Sequence, residues 1–444
     1  MLNNNSCIYG MIEYNKNTIT ERIVILAERV ILHSDLNAFY ASVECLYHPE
    51  LRNKPVAVCG DPELRHGIVL AKNDPAKKTG VKTGDAIWQA KQKCPDLVVL
   101  PPNFELYLKF GHLARDIYGD YASQIEPFGL DEAWLDVTCS KTLLGDGKTI
   151  ADKIRSRLKT ELGITASVGV SYNKIFAKLG SDMKKPDATT IISKANYKQV
   201  VWPLPVEDLL YVGRATKYKL NRKNIFTIGD LATKDASNLI ASLGKWGGMI
   251  HDFANGRDNS PVANIGDESI IKSIGNSTTT SRDLVNNEDV RLIIYVLSDS
   301  VASRLRDHGF RCCGVQIYIR DNALISFERQ SILNSPTNIS TEIAVKAIAI
   351  FKQNYNWARP IRSIGVRAIN LISEQEPSQT DMFTDERQRI KQEQLEKTID
   401  ALRQRYGHYC IHRAVLLEDR QLNINPKSDH TIHPVGFFKP GTQL

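Results

Sequence analysis

Apolar and polar positions divide the chain into an N-terminal half of mixed short elements and a C-terminal unit of longer, regular ones. The first firm signal is Val30-Ile-Leu-His-Ser34, an apolar strand that runs into Asp35. A helix is expected next, with Phe39, Val43 and Leu46/Tyr47 on one face. Pro55 to Cys59 reads as a strand. Asn73-Asp74-Pro75, a short Ala-Lys-Lys body and Gly80 spell a helix with a cap, an early proline and a glycine stop. Gln124 to Val137 reads as a hairpin tipped by Gly129-Leu-Asp-Glu132. Thr165 to Val170 is a further strand, followed by a helix from Asn173 to about Met183. Strands and helices without strict alternation predict an α+β domain up to about residue 195.

Pro203 and Pro205 mark a linker, and Val206 to Arg257 reads as short helices rich in Lys, Arg and Gly. After Pro261 the order is strand (Ile270 to Thr279), helix (Asn287 to His308, stopped by Gly309) and strand (Cys313 to Ile319). Then come a strand from Ala323 to Gln330, a helix from Ile339 to Tyr355 and a strand from Ile361 to Leu371. This βαββαβ order predicts a split ferredoxin-like unit. Glu374 to Thr384 reads as a polar linker and Asp385 to Arg405 as a charged helix.

A chain of 444 residues is too long for one core, so several domains are expected. Apolar content of 42% and charged content of 24% are those of an ordinary globular protein. The net charge of +7 is a mild basic bias, compatible with nucleic acid without demanding it. Its placement says more: from Ile270 to Ile372, 13 Lys and Arg face 8 Asp and Glu. Eight cysteines include no C-x-x-C pair and no zinc-spaced His, which predicts free thiols in a reducing cytosol. No apolar run approaches the ~18 residues of a membrane span. Residues 1–29 read as an extension, with Met11 an alternative start.

The candidate chemistry lies in three carboxylates. Asp35 ends a strand, and Asp131 and Glu132 sit at a hairpin tip. Like charges brought together push one another toward protonation, and a divalent cation removes that penalty. Two Mg²⁺ ions about 3.5–4 Å apart polarise an attacking hydroxyl and stabilise a leaving pyrophosphate. Successive strand residues point to opposite faces, so Asp131 and Glu132 converge only if the hairpin is distorted, which Gly129 permits. In isolation such residues usually read as solvated surface.

Their surroundings decide. Ser34-Asp-Leu-Asn-Ala-Phe-Tyr-Ala-Ser-Val-Glu44 resembles the first catalytic motif of the Y-family DNA polymerases, in their DNA polymerase IV branch. Phe128-Gly-Leu-Asp-Glu-Ala-Trp-Leu-Asp136 resembles the second. Val168 to Lys178, with Ser181-Asp182 and Lys185-Pro186, resembles the third. The resemblance runs from about Val30 to Leu371 and implies a right-hand polymerase. Palm is expected at 30–38 and 103–195, fingers at 39–102, a small helical thumb at 196–262, a little finger at 268–372 and a tail at 373–444.

The activity implied is template-directed, error-prone translesion synthesis without proofreading, on primer-template DNA with deoxyribonucleoside triphosphates. The same resemblance makes Asp35 and Asp131 metal ligands, with the Leu36 carbonyl, and puts Glu132 near the primer 3′-hydroxyl. Tyr40 falls at the steric gate beneath the sugar, with Phe39 beside it. Lys185 and Lys77 correspond to cations on the triphosphate. Two positions depart from the pattern: Asp74 replaces a triphosphate tyrosine, and Tyr211 replaces the first glycine of a helix-hairpin-helix in the thumb. Gln379-Thr-Asp381-Met382-Phe383 resembles the peptide that binds the bacterial sliding clamp. The chain is expected to be a cytoplasmic monomer, associated with the nucleoid when on DNA. Two rival readings are disfavoured: a clamp-recruited scaffold with decayed catalysis, against which the intact Asp35, Asp131 and Glu132 argue, and a nucleotidyl cyclase, against which the DNA-grip segments after residue 200 argue.

Overall fold

The computed structural model describes residues 28–62, 65, 67–267, 270–377, 385–419 and 422. The chain enters at β1 (Ile31–Leu36), buried along its whole length, and turns into α1 (Phe39–Tyr47). The turn passes through Ala38 in the left-handed conformation, φ 47°. Tyr47, expected on the apolar face, is instead 55% exposed, because that face is completed by Ala41, Glu44 and Cys45. A small unit follows: β2 (Val56–Cys59), β3 (Val69–Lys72) and β4 (Val98–Leu100) in the order β3-β2-β4, with α2 (Asp74–Lys78) and α3 (Ile87–Lys93). Asn73 caps α2 by accepting from the Ala76 amide, and it also accepts from the Val56 amide, which pins the helix to β2.

The chain returns through α4 (Phe104–Gly119), the hairpin β5 (Gln124–Pro127) and β6 (Glu132–Asp136), α5 (Lys141–Leu144) and α6 (Gly147–Glu161). It closes with β7 (Ala166–Ser171), α7 (Lys174–Met183) and β8 (Thr189–Ile191). These strands form one sheet, β5-β6-β1-β7-β8, with β1 at its centre. Strand alternation then sorts the residues of β1. Leu32 and Leu36 enter the main core with residues of α4 and α6. Ile31, His33 and Asp35 face α7.

That helix lies unusually close to the sheet. A Cβ on Gly169 would sit 1.9 Å from the Ala177 carbonyl oxygen, so only glycine fits there.

Short helices come next: α8 (Tyr197–Val200), α9 (Arg214–Asn221), α10 (Ile228–Thr233), α11 (Ala236–Leu243) and α12 (Lys245–Ala254). Tyr211 takes φ 72°, the conformation glycine would adopt, and its ring packs on Trp246 and Phe253.

The last sheet unit is β9 (Ser273–Leu284), α13 (Asn287–Asp307), β10 (Phe310–Asp321), β11 (Ser326–Thr337), α14 (Ser340–Asn354) and β12 (Ile361–Ser373). The βαββαβ order is the one expected. Its antiparallel sheet runs β11-β10-β12-β9, so the last strand lies between the first and the second. A 21-residue helix, α15 (Glu386–Tyr406), packs back against α13. Arg306, 6% exposed, bridges Glu396 and Asp400 of α15, and Glu396 accepts from the amide and hydroxyl of Ser340 at the start of α14.

Candidate active site

The register of the central sheet brings the three carboxylates together. Asp35 lies directly opposite Glu132 across β1 and β6, and the Leu36 amide donates to the Asp131 carbonyl at 3.0 Å. The hairpin tip is distorted as expected. Gly129 has φ 113°, and a Cβ there would stand 3.4 Å from Asp131 Oδ1.

The electrostatics are those of crowded, buried acids. Burial, then Glu132 and Asp35, raise the Asp131 pKa to about 7. Burial and the Glu132 charge push Asp35 above its ordinary range. Two ammonium groups compensate. Lys178 Nζ stands 2.9 Å from Glu132 Oε2 and 3.3 Å from Asp35 Oδ2. Lys185 Nζ is 2.7 Å from Asp35 Oδ2 and 3.0 Å from Asp182 Oδ1. Although burial opposes the charged form, Glu132, Asp182 and Asp35 raise the Lys178 pKa. Lys178 and Asp182 were legible only as parts of a motif. Their i,i+4 spacing on α7 is the signal that pairs them.

These residues fit a hard dication. The side-chain donors are carboxylate oxygens, and Glu132 Oε2 is buried with the Lys178 ammonium 2.9 Å away as its counter-charge. Among the described residues no three His, Cys, Asp or Glu side chains are gathered closely enough to hold a metal alone. Phosphate oxygens and water would complete the shell.

Tyr40 is half-buried beside the cleft. Its ring stacks on Tyr107 at 4.3 Å with planes 10° apart, and Phe104 meets it edge-on at 6.0 Å. Burial and the Asp131 charge push its hydroxyl up to about 12. Tyr107 in turn donates to buried Glu44 at 2.5 Å. This buttress has no local signature, because Tyr107 lies 63 residues from Glu44 in the chain.

Phe39 belongs to the core, 3% exposed, and does not line the cleft. Lys77 is exposed on α2, and among the described residues no ion pair joins it to the carboxylates. Asp74 is the first residue of α2, next to the Asn73 cap. Gln379, Asp381, Met382 and Phe383 lie outside the described residues.

A fold with this layout is that of a Y-family polymerase: a solved Y-family DNA polymerase chimera of Dbh and Dpo4 superposes with a TM-score of 0.67 at 22% identity, over 78% of this chain and 99% of its own. The chain belongs to the impB/mucB/samB family, whose model matches residues 34–182 and whose C-terminal domain model matches residues 271–382. A relative named DNA polymerase IV from Acetivibrio thermocellus is 57% identical over 396 residues, 89% of this chain and 99% of the relative. Another of that name from Clostridium acetobutylicum is 38% identical over 88% of this chain and 99% of its own length. DNA polymerase IV 1 of Bacillus subtilis is 36% identical over 88% and 94%.

Proposed function

We propose that this chain is a DNA-directed DNA polymerase of the translesion type, which extends a primer 3′ end with deoxyribonucleotides on a template and has no proofreading step. The observation that carries this reading is the meeting of Asp35, Asp131 and Glu132, from a strand end and a hairpin tip, in one buried acidic cleft with two lysines. In the assignment of parts, palm is 30–38 and 103–195, fingers 39–102, thumb 196–262 and little finger 268–372.

Two Mg²⁺ ions, when bound, lower the pKa of the primer hydroxyl and neutralise charge on the leaving pyrophosphate. Asp35, Asp131 and the Leu36 carbonyl would hold the ion that meets the triphosphate. Glu132 would hold its neighbour at the primer end. Lys185, ion-paired with Asp35 at the cleft, would supply positive charge for the triphosphate. Lys77 is a second cation for the phosphates, reaching them from the fingers. Tyr40, held flat by Tyr107, excludes a 2′-hydroxyl. The positive charge of residues 270–372 suits a sheet lying along the backbone of duplex DNA. The peptide from Gln379 to Phe383 recruits the chain, as a monomer, to a sliding clamp.

Primer extension with Mg²⁺ across an undamaged and a damaged template tests the reading. Wild type is expected to extend both and Asp131→Ala neither. A wild-type protein that binds primer-template yet never extends it would favour the decayed scaffold.

A further inference from the structure

Of the two lysines at the cleft, Lys178 stands on α7, whereas Lys185 lies in the turn that joins α7 to β8. That turn is moored by Asn37, two residues beyond Asp35 and 7% exposed. The side-chain oxygen of Asn37 accepts from the Asp187 amide at 2.9 Å and from the Thr165 hydroxyl at 3.1 Å. Its Nδ2 donates to Ser167 Oγ at 3.0 Å. An amide N–H only donates, so Asp187 fixes which end of the Asn37 side chain meets the turn, and both lone pairs of that oxygen are in use. The Asn37 main chain is fastened as well: its amide donates to the Thr165 carbonyl and its carbonyl accepts from the Ser42 hydroxyl, both at 2.8 Å. A second grip comes from Arg155 of α6, which donates to the carbonyl and the carboxylate of Asp187. Asp187 has φ 51°, a conformation that a non-glycine residue keeps only when its surroundings hold it. These connections close a ring. Asn37 holds Asp187, Lys185 lies two residues before Asp187, and the Lys185 ammonium reaches back 2.7 Å to Asp35.

We propose that Asn37 is a positioning residue for Lys185, with Arg155 as its partner on the same turn. Together they fix the main chain at Asp187 and so set where the Lys185 ammonium stands in the cleft. A lysine on a loosened turn spreads its charge over many positions and must be ordered again each time a triphosphate binds. Held in place beforehand, the ammonium meets the phosphates without that cost. The proposal rests on the reading of Lys185 as the triphosphate cation.

Steady-state single-nucleotide extension by the full chain, with Mg²⁺, a primer-template and one deoxyribonucleoside triphosphate, tests it. Asn37→Leu should raise the triphosphate KM about tenfold while kcat stays within about threefold of wild type, the pattern of lost binding that ground state and transition state share. Arg155→Gln, which loosens the same turn from α6, should shift KM in the same direction and keeps the test open should Asn37→Leu not fold. Lys185→Ala should raise KM at least as far. In the Lys185→Ala background neither change should raise it further, because both act through the ammonium. A KM unmoved by Asn37→Leu and Arg155→Gln, or raised equally with and without Lys185, overturns the proposal while leaving the lysine in its role. Lys185→Ala with a wild-type KM removes the lysine from the triphosphate, and this proposal with it. A wild type that extends no primer removes the polymerase reading and both of these together.

Discussion

Tyr40 lies flat against Tyr107, ring centroids 4.3 Å apart and planes within 10° of parallel. The proposed gate residue is therefore half of a stacked pair, and the other half is tethered to a buried carboxylate, Glu44. Stacking of this kind fixes ring orientation beyond what area burial supplies. Tyr40→Ala is expected to raise ribonucleotide incorporation by about 10- to 100-fold in single-nucleotide extension. Unchanged sugar selectivity would remove Tyr40 from the gate. Tyr107→Phe keeps the stacked ring but strips Glu44 of its donor. It should cost about 1–3 kcal/mol in urea unfolding while leaving sugar choice intact.

The acid cluster makes the metal-free protein sensitive to pH in a definite direction. Asp131 holds its proton more tightly folded than unfolded, with a pKa of about 7 against an ordinary 3.8. The stability this group contributes is full below the unfolded value and is lost as pH rises through about 7. Melting curves without metal should fall over that window, by on the order of a few kcal/mol, and Asp131→Asn should flatten the slope. Protons and dications compete for the same oxygens, so apparent Mg²⁺ affinity should climb with pH up to about 7 and then level off. An affinity independent of pH from 5.5 to 7.5 would contradict the shared site.

Lys178 behaves as an internal counterion. Lys178→Gln strips Glu132 of its ammonium partner and leaves Asp35 to Lys185 alone, a change of the kind that costs about 3–5 kcal/mol for buried pairs. Added Mg²⁺ should restore more of the melting temperature in this variant than it adds to wild type. Equal increments in the two proteins would separate the lysine from the cation site.

The C-terminal helix is predicted to be an integral part of the last sheet unit. Glu396→Ala leaves buried Arg306 with Asp400 and the Asn338 carbonyl as its remaining partners and removes the carboxylate that receives the Ser340 amide. Loss of about 3–5 kcal/mol of local stability is expected. It should appear as faster proteolysis within residues 385–419, with primer extension on short templates unchanged. Equal cleavage rates in mutant and wild type would refute the coupling.

Much of this was legible in the chain because local rules agreed with one another. Asn73 and Gly80 bounded α2, Asn173 capped α7, and the period-two pattern of β10 marked its buried face. The convergence of Asp35 with Asp131 and Glu132 was readable from motifs, since each motif carries its own turn. What escaped notice was contact between segments distant in sequence. The Tyr107–Glu44 buttress, the His33–Ser181 contact and the Arg306–Glu396 pair join residues 63, 148 and 90 positions apart. None has a spacing that a helix or hairpin imposes. Phe39 and Tyr40 show the remaining difficulty: both adjacent rings touch Tyr107, yet Phe39 enters the core and Tyr40 stays half-buried beside the cleft, because successive helix positions face different ways.

The docking of α15 has a mechanical consequence. The segment that resembles a clamp-binding peptide is bounded on one side by Glu374, whose amide donates to the Gly309 carbonyl, and on the other by α15, where Arg389 pairs with Glu342. Both flanks of that stretch are therefore fastened to the same sheet unit, and a pull on either flank is borne by that unit as a whole.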